Sequence, residues 1–277
     1  MRKNIYKDML QLLMIVTVGI FQGCTKDENP SNDNPTSEPV PANIFPLTAG
    51  HRFEFSGYLT EGGTETPIPN SSTVFSASWN ISSEVQIAAI LPPSTVAHLT
   101  KPSAVLIYDT VAVTGFLVEP KFTPVFAYYD NVTKDYYYLT NFGSVFRKYK
   151  IGGLNDTAIR NDSLRFIKLA SPGAGTHVKF IADSSTFVSY YLGANSPLQL
   201  HLEIVGEFKG KEELSLFVNG KDTTFTTYYL EVKNITALGE SINAKFWLAE
   251  GIGPVQMFLA GDDEAPGSFR KLKAKNF

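Results

Sequence analysis

The chain holds one cysteine in 277 residues, and that scarcity excludes a good deal. A lone thiol, Cys24, closes no intramolecular disulfide, so the fold must hold by its core even in an oxidising compartment. Four histidines, His51, His98, His177 and His201, stand at no metal-ligand spacing, HExxH is missing, and no spare thiolate serves a structural zinc site. Neither a GxSxG nucleophile elbow nor a GxxxxGK[ST] phosphate loop occurs. Ser268 and Lys271 do spell S-x-x-K, but that pairing needs a helix and the segment reads as extended. Charge of one sign is lacking too: 24 Lys+Arg stand against 27 Asp+Glu with no basic stripe, which argues against a nucleic-acid partner. Long runs with helical apolar spacing are absent. No cofactor motif and no catalytic constellation emerges, so a non-enzymatic binding or scaffold module is the expectation.

What is present begins at the N-terminus. Arg2, Lys3 and Lys7 precede the uncharged MLQLLMIVTVGIF of residues 9–21. That is a basic n-region and an h-region of secretory length, shorter than the roughly 20 apolar residues of a membrane span. The run stops at Gly23-Cys24. A small residue before a solitary cysteine resembles the lipobox of bacterial lipoproteins, although Phe21 and Gln22 depart from its commonest form. The resemblance implies removal of residues 1–23, a diacylglycerol on Cys24, and a fatty acyl group such as palmitate on the new amino terminus. Each buried CH₂ contributes about 0.8 kcal/mol, and two or more chains anchor a protein stably. The following Lys26, Asp27 and Glu28 resemble the signal that sends Bacteroidetes lipoproteins to the outer face of the outer membrane. Residues 24–43 then read as a lipidated cysteine and a disordered tether rich in Pro, Ser, Asn and acids.

From residue 44 to 277 the pattern is β almost throughout. LQLHLEI (198–204) alternates cleanly, with its leucines and isoleucine on one face. Asn219-Gly220 marks a hairpin turn because both residues tolerate positive φ. AYYDNVTKDYYYL reads as a second hairpin with Asp130–Lys134 as its loop. A short helix fits within residues 83–99, ended by Pro92-Pro93. The expected fold is all-β: antiparallel, strongly curved sheet or sheets, half-barrel or sandwich-like, with little helix. It forms one domain or two coupled β-subdomains split near residues 160–170.

IFPLTAGHRFEF (44–55) and FWLAEGIGPVQM (246–257) resemble the "FPLxxGxxWxY" opening and "YAxGVGxV" closing motifs of β-rich Bacteroidetes cell-envelope lipoproteins, with KLASPGAGTHVKF (168–180) a weaker echo. Phe53 stands where that family often has Trp, and His51 where it often has Asn. These motifs are structural, so the resemblance implies antiparallel architecture and an envelope address but no reaction.

Three binding modes remain open: scaffolding of an envelope protein, a concave sheet carrying a lipid or other apolar ligand, and glycan recognition by exposed tyrosines. Tyr128, Tyr129, Tyr137 and Tyr191 are the candidates for the last, since tyrosine is rigid and amphipathic. Adjacent tyrosines on a strand must point to opposite faces. Thr157, Ser163 and Thr223 follow aspartate in a pattern that resembles Bacteroidetes O-glycosylation acceptors, as does Thr110, a doubtful acceptor within a strand. Asp262-Asp263-Glu264 reads as a solvated turn more readily than as a calcium site. The RKLKAK segment near the C-terminus reads as one face of a last strand.

The anchor is the most exposed of these expectations. Cys24→Ser should leave the precursor uncleaved and move the protein from the detergent-rich to the aqueous phase on Triton X-114 partitioning. Unchanged processing and partitioning would remove the lipid anchor.

Overall fold

Two-residue alternation of apolar and polar side chains builds the molecule from antiparallel strands. The structure is a computed structural model and describes residues 36–113, 118–141, 164–189, 198–236, 239–261 and 266–277. The strands are β1 (Arg52–Thr60), β2 (Phe75–Gln86), β3 (Ser103–Val113), β4 (Val118–Tyr129), β5 (Tyr136–Asn141) and β6 (Leu164–Ala170), then β7 (Lys179–Ser189), β8 (Leu198–Val218), β9 (Lys221–Thr236), β10 (Gly239–Ala249), β11 (Gly253–Leu259) and β12 (Gly267–Lys275). They form one twelve-stranded sheet in the order β6-β5-β4-β3-β2-β1-β12-β11-β10-β9-β8-β7. The fold is therefore all-β and antiparallel, and the sheet curls into a nearly closed, barrel-like shape.

Two six-strand meanders, β1–β6 and β7–β12, share that sheet. They join where β1 pairs with β12, in a register running from Phe53 opposite Lys275 to Thr60 opposite Gly267. The other ends, β6 and β7, approach each other across a seam, where Arg165 Nε lies 2.6 Å from Asp183 Oδ2. The chain passes between the meanders through residues 171–178.

The inner face is the main core. Phe53, Phe55, Trp79, Ile81, Ile107, Leu202, Ile204, Leu230, Val232, Phe246, Met257 and Leu272 are all buried there. A second cluster of Ile87, Val96, Ala104, Leu106, Phe126 and Leu139 takes the opposite side chains of β3–β5. It is covered by the excursion between β2 and β3. In that excursion β2 runs on to Gln86, a 3₁₀ turn spans Ile87–Ala89, and the one-turn helix α1 covers Pro93–Val96. Pro93 starts the helix, where its missing N–H costs nothing, and does not end one as the sequence suggested.

One end of the barrel is closed by two segments. Strand β8 bends at a bulge at Gly210, whose φ is 139°, and the β8–β9 hairpin continues beyond it. Its tip, Asn219-Gly220, has φ values of 51° and 79°, the paired positive angles expected of the turn. The tip docks on β12, with the Asn219 backbone N–H donating to the Lys273 carbonyl at 3.0 Å. The chain before β1 forms the second closure. Val40, Ile44 and Phe45 are buried. Glu38 N–H donates to Thr176 Oγ1 at 2.8 Å, Tyr136 O–H to the Ala42 carbonyl at 2.6 Å, and Gly251 N–H to the Asn43 carbonyl at 3.0 Å. Residues 38–43 are thus packed strap and not tether, which corrects the boundary expected at Ile44. Their polar, proline-dotted sequence hides this because the strap is held by backbone hydrogen bonds and few apolar side chains. No helix among the described residues is long and apolar enough to cross a membrane.

The β1–β12 junction is tight at one point. A Cβ at Gly57 would sit 1.9 Å from the Phe269 carbonyl oxygen, whereas one at Gly63, in the β1–β2 connection, meets nothing within 4 Å. Gly57→Ala should lower the urea midpoint by the equivalent of about 1–3 kcal/mol or more. Gly63→Ala should leave the midpoint unchanged, and equal effects of the two would contradict this register.

Candidate functional site: a cavity inside the barrel

Small side chains on the inner face leave a space the large ones do not fill. Ala127 on β4 and Ala244 on β10 help wall a cavity of about 270 Å³, whose other apolar lining includes Phe45, Trp79, Ile107, Leu169 and Phe246. Phe45 comes from the strap, so the closed end of the barrel forms part of the wall. Asp109, Tyr138 and Asn243 are the polar exceptions in this lining.

Asp109 is held by Arg270. The guanidinium of Arg270 grips the carboxylate in two places, Nη1 to Oδ1 at 2.7 Å and Nη2 to Oδ2 at 3.2 Å, and its Nε donates to Ser268 Oγ at 3.0 Å. The two side chains are 4% and 14% exposed. They belong to β12 and β3, with β1 and β2 between them, so the pair spans the inner face of two strands. Gly57 stands opposite Arg270 on β1 and presents no side chain of its own. Removing one partner of such a pair leaves a buried charge uncompensated and typically costs about 3–5 kcal/mol.

Beside this pair lies an unused donor. Trp79 on β2 is the direct cross-strand partner of Asp109 on β3, and its buried indole Nε1 has no hydrogen-bond partner among the described residues. An unsatisfied buried donor costs roughly 1–3 kcal/mol. The wall thus includes a carboxylate already neutralised by Arg270, while the indole nitrogen of Trp79 is closed off from it.

Sequence reasoning did not find this site. Asp109 entered only as the residue before Thr110 in an acceptor-like motif, and Arg270 only within a basic segment. The signal was parity. Asp109 shares its strand face with Ile107 and Val111, and Arg270 shares its own with Leu272. A charge on the apolar parity of each of two strands is the mark of a buried ion pair.

The tyrosine candidates divide between the faces. Tyr128 and Tyr137 stack on the outer face at 4.8 Å and 10°, and the Lys101 ammonium sits 4.5 Å from the Tyr128 ring centroid. Phe166 meets the same ring edge-on. Tyr129 turns inward with Tyr136, their centroids 4.7 Å apart. Tyr128 and Tyr137 therefore come together, while Tyr129 faces the other side of the sheet. Tyr128 already has neighbours on its faces and edge. Thr223 sits half-buried near the β8–β9 tip, its Oγ1 donating to the Lys221 carbonyl at 3.4 Å. Cys24, Lys26, Asp27, Glu28, Thr157, Ser163, Tyr191 and Asp262-Asp263-Glu264 lie outside the described residues. Among the described residues no three His, Cys, Asp or Glu side chains gather as a metal site.

No protein-family model matches the chain, and no curated protein matches it in sequence. Two solved structures are similar in outline. A candidate lipoprotein from Parabacteroides distasonis is 13% identical, with 86% of this chain and all of the other covered at a TM-score of 0.40. A candidate exported protein with a YmcC-like fold from Bacteroides fragilis is 10% identical, with 84% of this chain and 98% of the other covered at a TM-score of 0.40.

The buried phenols give a pH test of this placement. Burial above all, with Tyr137 and Asp130 adding to it, pushes Tyr128 up to about 12, and burial likewise raises Tyr136 to about 12. Each folded-state value lies above the unfolded value near 10, so the unfolded chain loses its proton first as pH rises. Stability should be fully present below pH 10 and decline between pH 10 and about 12. Thermal melts of Tyr128→Phe should show a shallower decline over that window; an unchanged slope would place Tyr128 in water.

Proposed function

We propose that this chain is a non-enzymatic binding module of the bacterial cell envelope that holds a small, mainly apolar ligand inside its barrel. In this reading Cys24 carries the lipid anchor and Lys26, Asp27 and Glu28 direct the protein to the outer face of the outer membrane. One observation carries the binding role: a cavity of about 270 Å³ walled mainly by apolar side chains. Protein interiors keep few voids larger than a water molecule. A ligand that binds only the folded state makes stability depend on its concentration. Recognition of glycans by tyrosine faces draws less support, because Tyr128 is engaged by Tyr137, Lys101 and Phe166.

Titration with N-phenyl-1-naphthylamine, a neutral apolar dye, tests the reading. The protein should give saturable one-to-one enhancement of emission. Ala127→Leu with Ala244→Leu should abolish it by filling the space, with the thermal midpoint kept or raised. Absence of saturable binding to the parent protein, or binding that survives the filled cavity, would defeat the proposal.

A further inference from the structure

Exposed apolar side chains are not spread evenly over this barrel. In an antiparallel meander of this order, the start of β1, the end of β12 and the connections β2–β3, β4–β5, β6–β7, β8–β9 and β10–β11 all fall at one end. Among the described residues the exposed large apolar side chains are Ile90, Val132, Val178, Ile181, Phe217 and Phe277, in or beside those segments, and Tyr108 on the outer wall. We infer that this end of the barrel rests on the lipid bilayer, with apolar side chains of its loop tips dipping into the interface and neighbouring lysines meeting the head groups. The inference rests on the reading of Cys24 as a lipid anchor.

Single exposed apolar side chains are ordinary on a protein surface. These differ first in how far they project. Val132 is 89% exposed at the tip of the β4–β5 hairpin, where its backbone N–H donates to Asp130 Oδ1 at 2.8 Å and shapes the turn. Phe217 is 65% exposed beside the β8–β9 tip, while Leu216 and Val218 on either side of it turn inward and are buried. They differ also in their company. Lys134 lies two residues after Val132, Lys179 follows Val178, and Lys221 opens β9 just past the turn after Phe217. All three lysines are exposed, and none has an ion-pair partner among the described residues. Lysine lays its stem along apolar surface and keeps its ammonium at the polar boundary, so the pairing suits a membrane interface. Asp130 is engaged in its own turn and Asp222 stands opposite Phe217, which leaves apolar contact as the main attraction. At the other end of the barrel the β1–β2 connection is described throughout. Its tip carries Glu61, Thr64, Glu65 and Thr66, all exposed, and no exposed large apolar side chain.

The chain itself identifies the occupant as lipid. Residue 36 enters the fold at the apolar end, where the Glu38 N–H donates to Thr176 Oγ1, and it stands twelve positions after Cys24. That many residues reach at most about 40 Å when fully extended. Running back along the barrel to its other end, roughly 30 Å for the nine residues of β1, would use most of that reach. A surface held so close is met at high effective concentration, so contacts from a few side chains suffice. A protein partner would need a contiguous interface of roughly 1,000 Å². The apolar side chains here stand on separate loop tips, which a deformable lipid surface accommodates.

Site-specific fluorescence tests the placement. The lipidated protein is reconstituted in vesicles of palmitoyl-oleoyl phosphatidylcholine with a doxyl-labelled phosphatidylcholine as quencher. The dye NBD is attached to Val132→Cys, Phe217→Cys or Gly63→Cys in turn, and Cys24 does not react because its sulfur is already alkylated. All three positions are exposed, so the labels leave the core untouched. NBD at 132 and at 217 should shift to the blue and be quenched by the lipid, while NBD at 63 should emit as it does in water. Failure of the protein to float with the vesicles would overturn the lipid anchor and this inference with it. Flotation with no more quenching at 132 and 217 than at 63 would overturn the inference alone. A shift at 132 and 217 that needs added envelope proteins and is not quenched by lipid would assign this end to a protein partner and overturn it likewise.

Discussion

Everything inside this barrel depends on β1 pairing with β12. The first and last strands of the fold lie side by side in the middle of the sheet, and their ladder is the strand pairing that joins the two meanders. Each meander can form from local hairpins. The lumen forms only when residues more than two hundred positions apart meet, which is a slow kind of contact to make. The Asp109–Arg270 pair follows from the same event, because Asp109 belongs to the first meander and Arg270 to the second. Core, ion pair and cavity therefore appear together, as consequences of one register.

The interior balances two costs against that closure. Burying an ion pair removes two charges from water, and the attraction between them repays this only when geometry and further hydrogen bonds are good. Here the bidentate grip and the bond from Arg270 to Ser268 supply both. The indole of Trp79 is left without a hydrogen-bond partner among the described residues. Local violations of packing and hydrogen-bonding rules are expected where function resides. The closed end shows the opposite economy, with the strap and the bent β8–β9 hairpin satisfying their backbone groups on neighbouring strands.

Much of the fold was legible because β-structure writes itself in a period of two. Leu202 and Ile204 are fully buried as the alternation of their strand required, and Asn219-Gly220 makes its turn for the steric reason the sequence supplies. The paired tyrosines split between faces by the same rule, Tyr128 outward and Tyr129 inward. What stayed hidden was of another kind. That β1 sits beside β12 is a fact about two distant segments, and alternation within either says nothing of its partner. The strap at 38–43 is held by backbone hydrogen bonds that no side-chain pattern records. Asp109 and Arg270 stood on apolar parities, but each becomes informative only once the other is known to face it.

Hydrogen exchange of the native protein, resolved by amide, tests the closure directly. The amides that pair Phe55, Gly57 and Leu59 with Leu272, Arg270 and Ser268 lie at the centre of the sheet. They should exchange only through global unfolding, with the slowest rates in the chain, while β6 and β7 at the seam exchange faster. Rapid exchange across β1 and β12, at the rate of free edge strands, would mean that the two meanders do not share one sheet and that the cavity between them does not exist.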